Sequence, residues 1–312
     1  MTPHAHTHQH GHSHDHSHGH APAHPPAHPH GHQHGQEAEF DWDALAGHLE
    51  REAELKVPAV TEAARWLGAL LDGAPVHRVL DVGSGPGVVA GLLADAFPAA
   101  EVVAVDQSDA LLERARSRSA GRVGTHRADL PEEFGTLGRA DLVWSGNAIH
   151  HLGDQQAALT ALAAALRQGG LLAVAEGGLP ARYLPRDLGL GRPGLQARLD
   201  AAHEETFAAM RESVPDAVAV VEDWPALLAA AGLIPTGSRT FLVDHPAPLD
   251  TPAREFLHVQ LSRRRGQLAD LLDESDLAAL DALLDPEAPT GILARPDAFY
   301  LAALTVHTAR KV

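Results

Sequence analysis

The sequence predicts an α/β fold, a mostly parallel sheet with helices on both faces. Three observations carry this expectation. Strand and helix signals alternate regularly between residues 77 and 176. The apolar stretch Val79-Leu80-Asp81-Val82 runs directly into a glycine turn, Gly83-Ser84-Gly85-Pro86-Gly87, and on into a helical run. A second apolar run, Val102-Val103-Ala104-Val105, closes on the acid Asp106. Alternation of this kind makes right-handed crossovers between parallel strands, and it places a ligand at their carboxyl ends where the strand order reverses.

Taken from the beginning, residues 1–36 hold fourteen of the chain's 23 histidines, from His4 to His34, interleaved with Gly, Pro, Ala, Ser and Gln. Such a composition cannot bury a core, and the segment is expected to be disordered. Imidazoles at the density of His4, His6, His8, His10, His12, His14, His16, His18 and His20 form a set of ligands for Ni²⁺, Zn²⁺ or Cu²⁺, in a non-catalytic role. Alternatives for the segment are a pH-responsive solubilising tail or no selected role. Residues 37–74 read as two helices separated at Pro58, with stripes at Trp42, Leu45, Leu49 and Glu52 and at Val60, Ala64, Leu67 and Leu71.

The strands are expected near 77–82, 101–105, 122–126, 140–145 and 170–176, with helices at 86–96, 109–118 and 154–167 between them. Three apolar residues, Val79, Leu80 and Val82, around one acid suit a first strand covered on both faces. In the turn that follows, glycines remove side chains where backbone must bend sharply and approach a ligand. Beyond residue 178 the pattern is less regular. A helical run spans 194–213, a helix near 223–231 is opened by Trp224-Pro225, and a strand follows near 237–243. Amphipathic helices then occupy 250–285, with a last strand at 299–308.

Composition narrows the function classes. The chain of 312 residues is long enough for a full core, and 45% of it is hydrophobic with no apolar run of membrane length. A membrane partner is not expected, and with no apolar leader at the start a cytoplasmic location is. Zero cysteines exclude disulfides, thiolate metal sites and cysteine nucleophiles. A formal net charge of −17 argues against nucleic acid as partner, since phosphate binding needs clustered Lys and Arg. Arg outnumbering Lys, with abundant Ala, Gly and Pro, suggests a GC-rich bacterial genome.

The motif Asp81-x-Gly83-x-Gly85-x-Gly87 followed by Asp106 resembles the class I S-adenosylmethionine-dependent methyltransferases. The resemblance continues in order through Arg127-Ala128-Asp129-Leu130, through Asp141 to Leu152, and through Leu166 to Val174. It implies a Rossmann-like seven-stranded sheet with its last strand antiparallel. The chain then divides into residues 37–312 as the domain, 75–178 as the cofactor-binding core, and 179–222 and 244–298 as helical lid insertions over the site. It also implies S-adenosyl-L-methionine as cofactor and a small or medium organic substrate in an enclosed pocket. Asp81 and the turn of Gly83, Ser84, Gly85 and Gly87 would then face the methionine portion. Asp106 with Gln107 would meet the ribose, Asp129 with Leu130 the adenine, and Asn147 the methionine end. For Asp129 an ordinary turn or helix-cap role is the other reading.

Catalytic candidates are His150 and His151, able to take a proton directly after the fourth strand, and Tyr183 in the first insertion. A structural hydrogen bond is the competing role for the histidines. Trp42, His48 and Glu52 are further pocket candidates for which ordinary helix packing is the stronger reading, and Glu176, Arg182, Arg186, His203 and His258 are lid or pocket candidates. Two other functional readings stay open. One is a non-catalytic binding protein whose working part is the histidine-rich tail. The other is an NAD-dependent oxidoreductase, because Gly85-Pro86-Gly87-Val88-Val89-Ala90 also fits a dinucleotide pattern. Oligomeric state is not encoded in any of these signals.

Overall fold

A computed structural model describes residues 42–312. The histidine-rich segment, with its metal-ligand candidates His4 to His20, lies outside the described residues, as does the side chain of Trp42. The helices are α1 (Trp42–Leu55), α2 (Val57–Leu70), α3 (Val88–Ala96), α4 (Asp109–Arg118), α5 (Gln155–Ala165), α6 (Leu195–Ser213), α7 (Trp224–Ala230), α8 (Thr251–Gln267) and α9 (Glu274–Leu284). The strands are β1 (Arg78–Val82), β2 (Glu101–Asp106), β3 (Val123–Arg127), β4 (Ala140–Gly146), β5 (Leu166–Ala175), β6 (Gly178–Arg182), β7 (Ile234–His245) and β8 (Tyr300–Arg310). Among the described residues no helix is long and apolar enough to cross a membrane.

Helix starts follow from local chemistry. The side chains of Ser108, Asp154, Asp223, Asp250 and Asp273 each accept a hydrogen bond from a backbone N–H in the first turn of α4, α5, α7, α8 and α9, which satisfies donors that a helix leaves open. The central strands are buried on alternate sides. Val79, Val102, Ala104, Leu142 and Trp144 pack with α2, α3, α8 and α9, whereas Leu80, Val82, Val103, Val105 and Val143 pack with α5 and α7. A strand buried on both faces has to be apolar nearly throughout, so the single acid of β1 stands out.

The sheet runs β3-β2-β1-β4-β5-β8, with β1 to β5 parallel and β8 antiparallel. Both β6 and β7 also pair with β8, antiparallel to it. The α/β class, the mostly parallel sheet and the antiparallel last strand are as expected. Among the described residues the strand count is eight rather than seven, because the fifth strand is broken. Val174 lies opposite His307 and Gly178 opposite Leu304, so β6 continues along the flank of β8 that β5 began. Gly177 and Gly178 make the break at φ +69° and +109°, and a side chain at Gly178 would overlap the Ala303 carbonyl. Strand β6 takes up the first residues of the stretch 179–222 expected as a lid insertion. Strand order reverses between β2 and β4 on either side of β1, which fixes a crevice above the ends of these three strands.

Candidate active site

At that crevice lies a cleft of about 580 Å³. This falls within the roughly 300–1,000 Å³ typical of small-molecule sites. Its floor is the β1 turn. Asp81 is 2% exposed, and its Oδ2 is buried without a hydrogen-bond partner. Burial, reinforced by the nearby Asp106 carboxylate and only partly offset by the Ala90 N–H, pushes the Asp81 carboxyl up to about 7. An acid placed at such cost in the cleft lining, with one oxygen left without a partner, suits a cationic ligand group.

The glycines of the turn do different work. Gly85, at φ +54°, has open space where a side chain would sit, so it leaves bare backbone toward the cleft. Gly87 does not line the cleft, and a side chain there would overlap that of Ala115 on α4. It therefore serves helix packing. Gly83 is held close to Ala148 of the β4 loop in the same way, while still lining the cleft.

Asp106 at the end of β2 is locked in place. Its Oδ2 accepts from the Gly85 N–H at 2.8 Å and its Oδ1 from the Ser108 N–H at 3.0 Å. Burial raises its pKa against these backbone hydrogen bonds. Gln107, Leu130, Ala128 and Phe134 continue the wall above it. Asp129 does not join them: it is exposed, its N–H donates to Glu133 Oε2 at 2.7 Å, and the apolar neighbours on both sides face the cleft instead. Its turn role prevails over the adenine contact expected of it.

The opposite wall is the loop after β4. Asn147 lines the cleft at φ +50°, its N–H donating to the Ala175 carbonyl at 3.1 Å. His150 and His151 follow, with ring centroids 4.2 Å apart, both lining the cleft. Burial, with His150 and Arg211 close by, pushes His151 down to about 4, so it is uncharged near neutral pH. Glu176, 3% exposed, sits at the break after β5 and contacts this loop. The Arg211 guanidinium of α6 donates to the carbonyls of His150 at 2.5 Å and Leu152 at 2.9 Å, holding the turn from outside.

Covering residues come from α1, α2 and α6. Leu49, Glu52, Ala53, Lys56 and Val60 close one side and His203 the other. Lys56 Nζ lies 2.6 Å from Glu52 Oε1, an ion pair that lowers the Glu52 pKa. For Lys56, burial by itself would lower the pKa, but Glu52 and Tyr300 outweigh it and the net shift is upward. Lys56, Trp144 and Phe134 went unassigned from sequence; only Lys56 left a trace there, in its i,i+4 spacing from Glu52.

The second insertion contributes no lining residue. Its α8 backs α1, with the His48 and Phe256 rings stacked at 4.7 Å, and His258 Nε2 bonds the Leu284 carbonyl at the end of α9. Tyr183 is also absent from the cleft: it is fully buried, and its hydroxyl accepts from Arg264 Nη1 at 3.1 Å. An aromatic hydroxyl beyond a strand end reads equally as reactant or as packing, and here core packing took it. Arg182 and Arg186 do not line the cleft either. Among the described residues no group of three or more His, Asp or Glu could hold a metal ion.

Comparison with known proteins agrees with this geometry. The family model for a methyltransferase domain matches residues 79–170, from β1 to the turn within β5. A trans-aconitate 2-methyltransferase of Deinococcus radiodurans is 36% identical over 111 residues, 36% of this chain and 42% of that protein. A malonyl-[acyl-carrier protein] O-methyltransferase of Laribacter hongkongensis is 33% identical over 141 residues, 42% of this chain and 47% of that one. In both cases the match spans less than half of the relative's length. A trans-aconitate 2-methyltransferase of Methylobacterium nodulans aligns further, at 33% identity over 195 residues covering 62% of this chain and 69% of that protein. With that extent of shared sequence, and a glycine turn, strand-end acid and β4 loop meeting at one crevice, the chain belongs to the class I S-adenosylmethionine-dependent methyltransferases.

Proposed function

We propose that this chain binds S-adenosylmethionine in the cleft above β1 and transfers its methyl group to a small organic molecule. The observation that carries the reading is the buried, unpartnered Oδ2 of Asp81, beside the bare backbone of Gly85 and the pinned carboxylate of Asp106. These residues fit the cofactor chemically. Asp81 matches an ammonium, Asp106 two vicinal hydroxyls, and Ala128, Leu130 and Phe134 a flat base. When bound, the cofactor supplies an electrophilic methyl on a sulfonium sulfur. What the protein adds is placement and exclusion of water, since the transfer disperses positive charge and depends on alignment. Covers from α1 and α6 over a cleft of about 580 Å³ favour an acceptor of modest size.

Calorimetry with S-adenosylhomocysteine and NAD tests the reading: S-adenosylhomocysteine binds, Asp106→Ala weakens it at least about 10-fold, and NAD gives no heat. Binding of NAD alone would overturn it. Trans-aconitate, named in the Deinococcus and Methylobacterium relatives, is the first carboxylate to assay as an acceptor. For residues 1–36 the proposal is chelation of Ni²⁺, Zn²⁺ or Cu²⁺ by the clustered imidazoles, ancillary to methyl transfer. Deleting them should abolish metal uptake in equilibrium dialysis and leave the transfer rate unchanged; a rate that falls with the deletion contradicts the ancillary role.

A further inference from the structure

Glu176 satisfies three donors at once. Its Oε1 accepts from the Ala148 N–H at 2.9 Å and the Ile149 N–H at 2.8 Å, and its Oε2 lies 2.8 Å from His150 Nδ1. The two N–H bonds fix the carboxylate, which then fixes the imidazole: a carboxylate can only accept, so Nδ1 carries the proton and Nε2 of the neutral ring carries the lone pair. The Phe207 ring of α6 at 5.5 Å and the Arg211 grip on the backbone hold the imidazole against the cleft wall. A buried carboxylate behind a histidine is the arrangement that stabilises an imidazolium once a proton has been taken up.

Charge on the lining points the same way. Asp81, Asp106 and Glu52 are acids, and no arginine lines the cleft among the described residues. The one lysine, Lys56, is already paired with Glu52. Arg211, just outside, donates to backbone carbonyls. A carboxylate acceptor would enter a site with three acids and no unpaired lysine or arginine on its lining, leaving imidazole and amide donors to offset an unfavourable desolvation.

We propose that His150, positioned by Glu176, is the proton acceptor of this site, and that the methyl acceptor is a neutral or cationic molecule presenting an O–H or N–H rather than a carboxylate. This rests on the methyl-transfer reading above. The acceptor's O–H or N–H bond breaks and its proton bonds to Nε2. The electron pair left behind takes the methyl group, whose former bonding pair stays on sulfur. Solvent then removes the proton from the imidazolium.

The test has two arms. In the free enzyme, ¹⁵N–¹H correlation spectra of the histidine side chains in mildly alkaline buffer should show His150 protonated at Nδ1, and Glu176→Gln should redistribute that proton, which a purely structural role for Glu176 in bonding the two N–H groups would not require. A proton on Nε2 in the unmodified chain overturns the proposal. In the second arm, radiolabelled methyl donor is offered with a panel of phenols, alcohols and amines alongside trans-aconitate. Transfer to a protic member, with His150→Gln lowering kcat about 100-fold or more and leaving S-adenosylhomocysteine affinity within about two-fold, supports the pair. Methylation of trans-aconitate alone, transfer to no protic member, or a His150→Gln variant keeping a fifth of kcat overturns it. Loss of S-adenosylhomocysteine binding in the unmodified chain would instead defeat the methyl-transfer reading, and the tautomer would still be decided by the spectra.

Discussion

Replacing Asp81 by Asn removes a charge that the fold holds at a disadvantage. The carboxyl is raised from 3.8 to about 7 by burial and by Asp106, so the native state retains a proton that the unfolded chain has already released. Stability contributed by this proton is complete below about pH 4 and is lost as pH rises toward 7, because between those values the native state binds more protons than the unfolded one. The gap is about 3 pH units, equivalent to about 4 kcal/mol at 1.36 kcal/mol per unit. Asn keeps the shape and can still accept from the Ala90 N–H. With some of the penalty relieved by water entering the cleft, Asp81→Asn should gain about 2–4 kcal/mol at pH 8 and almost nothing near pH 4. For a domain of this size that is a Tm rise of roughly 5–10 °C, confined to the alkaline side. Differential scanning calorimetry across the pH range reads it directly. The same variant should bind S-adenosylhomocysteine about 10- to 100-fold more weakly, for want of the charged partner to an ammonium. A Tm difference that does not change with pH, or a stabilised variant with full affinity, would refute the claim that Asp81 is held for a ligand.

The glycine turn and Tyr183 give sharper contrasts. Gly87→Ala should destabilise by about 2–4 kcal/mol, since its side chain would overlap Ala115 and come within 2.8 Å of that residue's Cα at φ +74°. Gly85→Ala meets no atom and should cost only about 1 kcal/mol for its φ of +54°. It should nevertheless weaken S-adenosylhomocysteine at least about 10-fold by filling the space left for the ligand; paired denaturant titrations and calorimetry separate the two effects. Tyr183→Phe loses one hydrogen bond from Arg264, about 1 kcal/mol, and should leave S-adenosylhomocysteine affinity unchanged. A large affinity loss in that variant would return Tyr183 to the site.

The half of the molecule that a ligand constrains was legible in the sequence. Apolar runs of strand length and a glycine turn located β1, and the acid closing the next run located the end of β2 beside that turn, because strand burial and a tight turn each dictate residue types. Asp129 and Leu130 show the limit: one residue of turn geometry decided which of two neighbours faces inward, and no periodicity encodes that. Gly87 looked like part of the cradle but serves α4, a contact 28 residues away that only tertiary packing reveals. Glu176 and His150 were each visible singly. Their pairing follows from parallel register, in which Gly146 of β4 lies opposite Ala175 of β5 and brings both chain exits to one point.

The covers were harder to read because they are selected on shape rather than on fixed chemistry. Two insertions were expected over the site, yet only the first reaches it, through His203, while α1 supplies the Glu52–Lys56 pair. The second acts at one remove. Arg264 of α8 bonds Asp200 of α6 at 2.8 Å, and Arg198 of α6 grips Asp276 at the start of α9 with contacts of 2.6 and 2.7 Å. Helix α6 is thus held from outside by α8 and α9 and from inside by the Arg211 contacts to the His150 turn. A change in α8 or α9 therefore reaches the cleft by shifting α6 or, through the His48–Phe256 stack, α1.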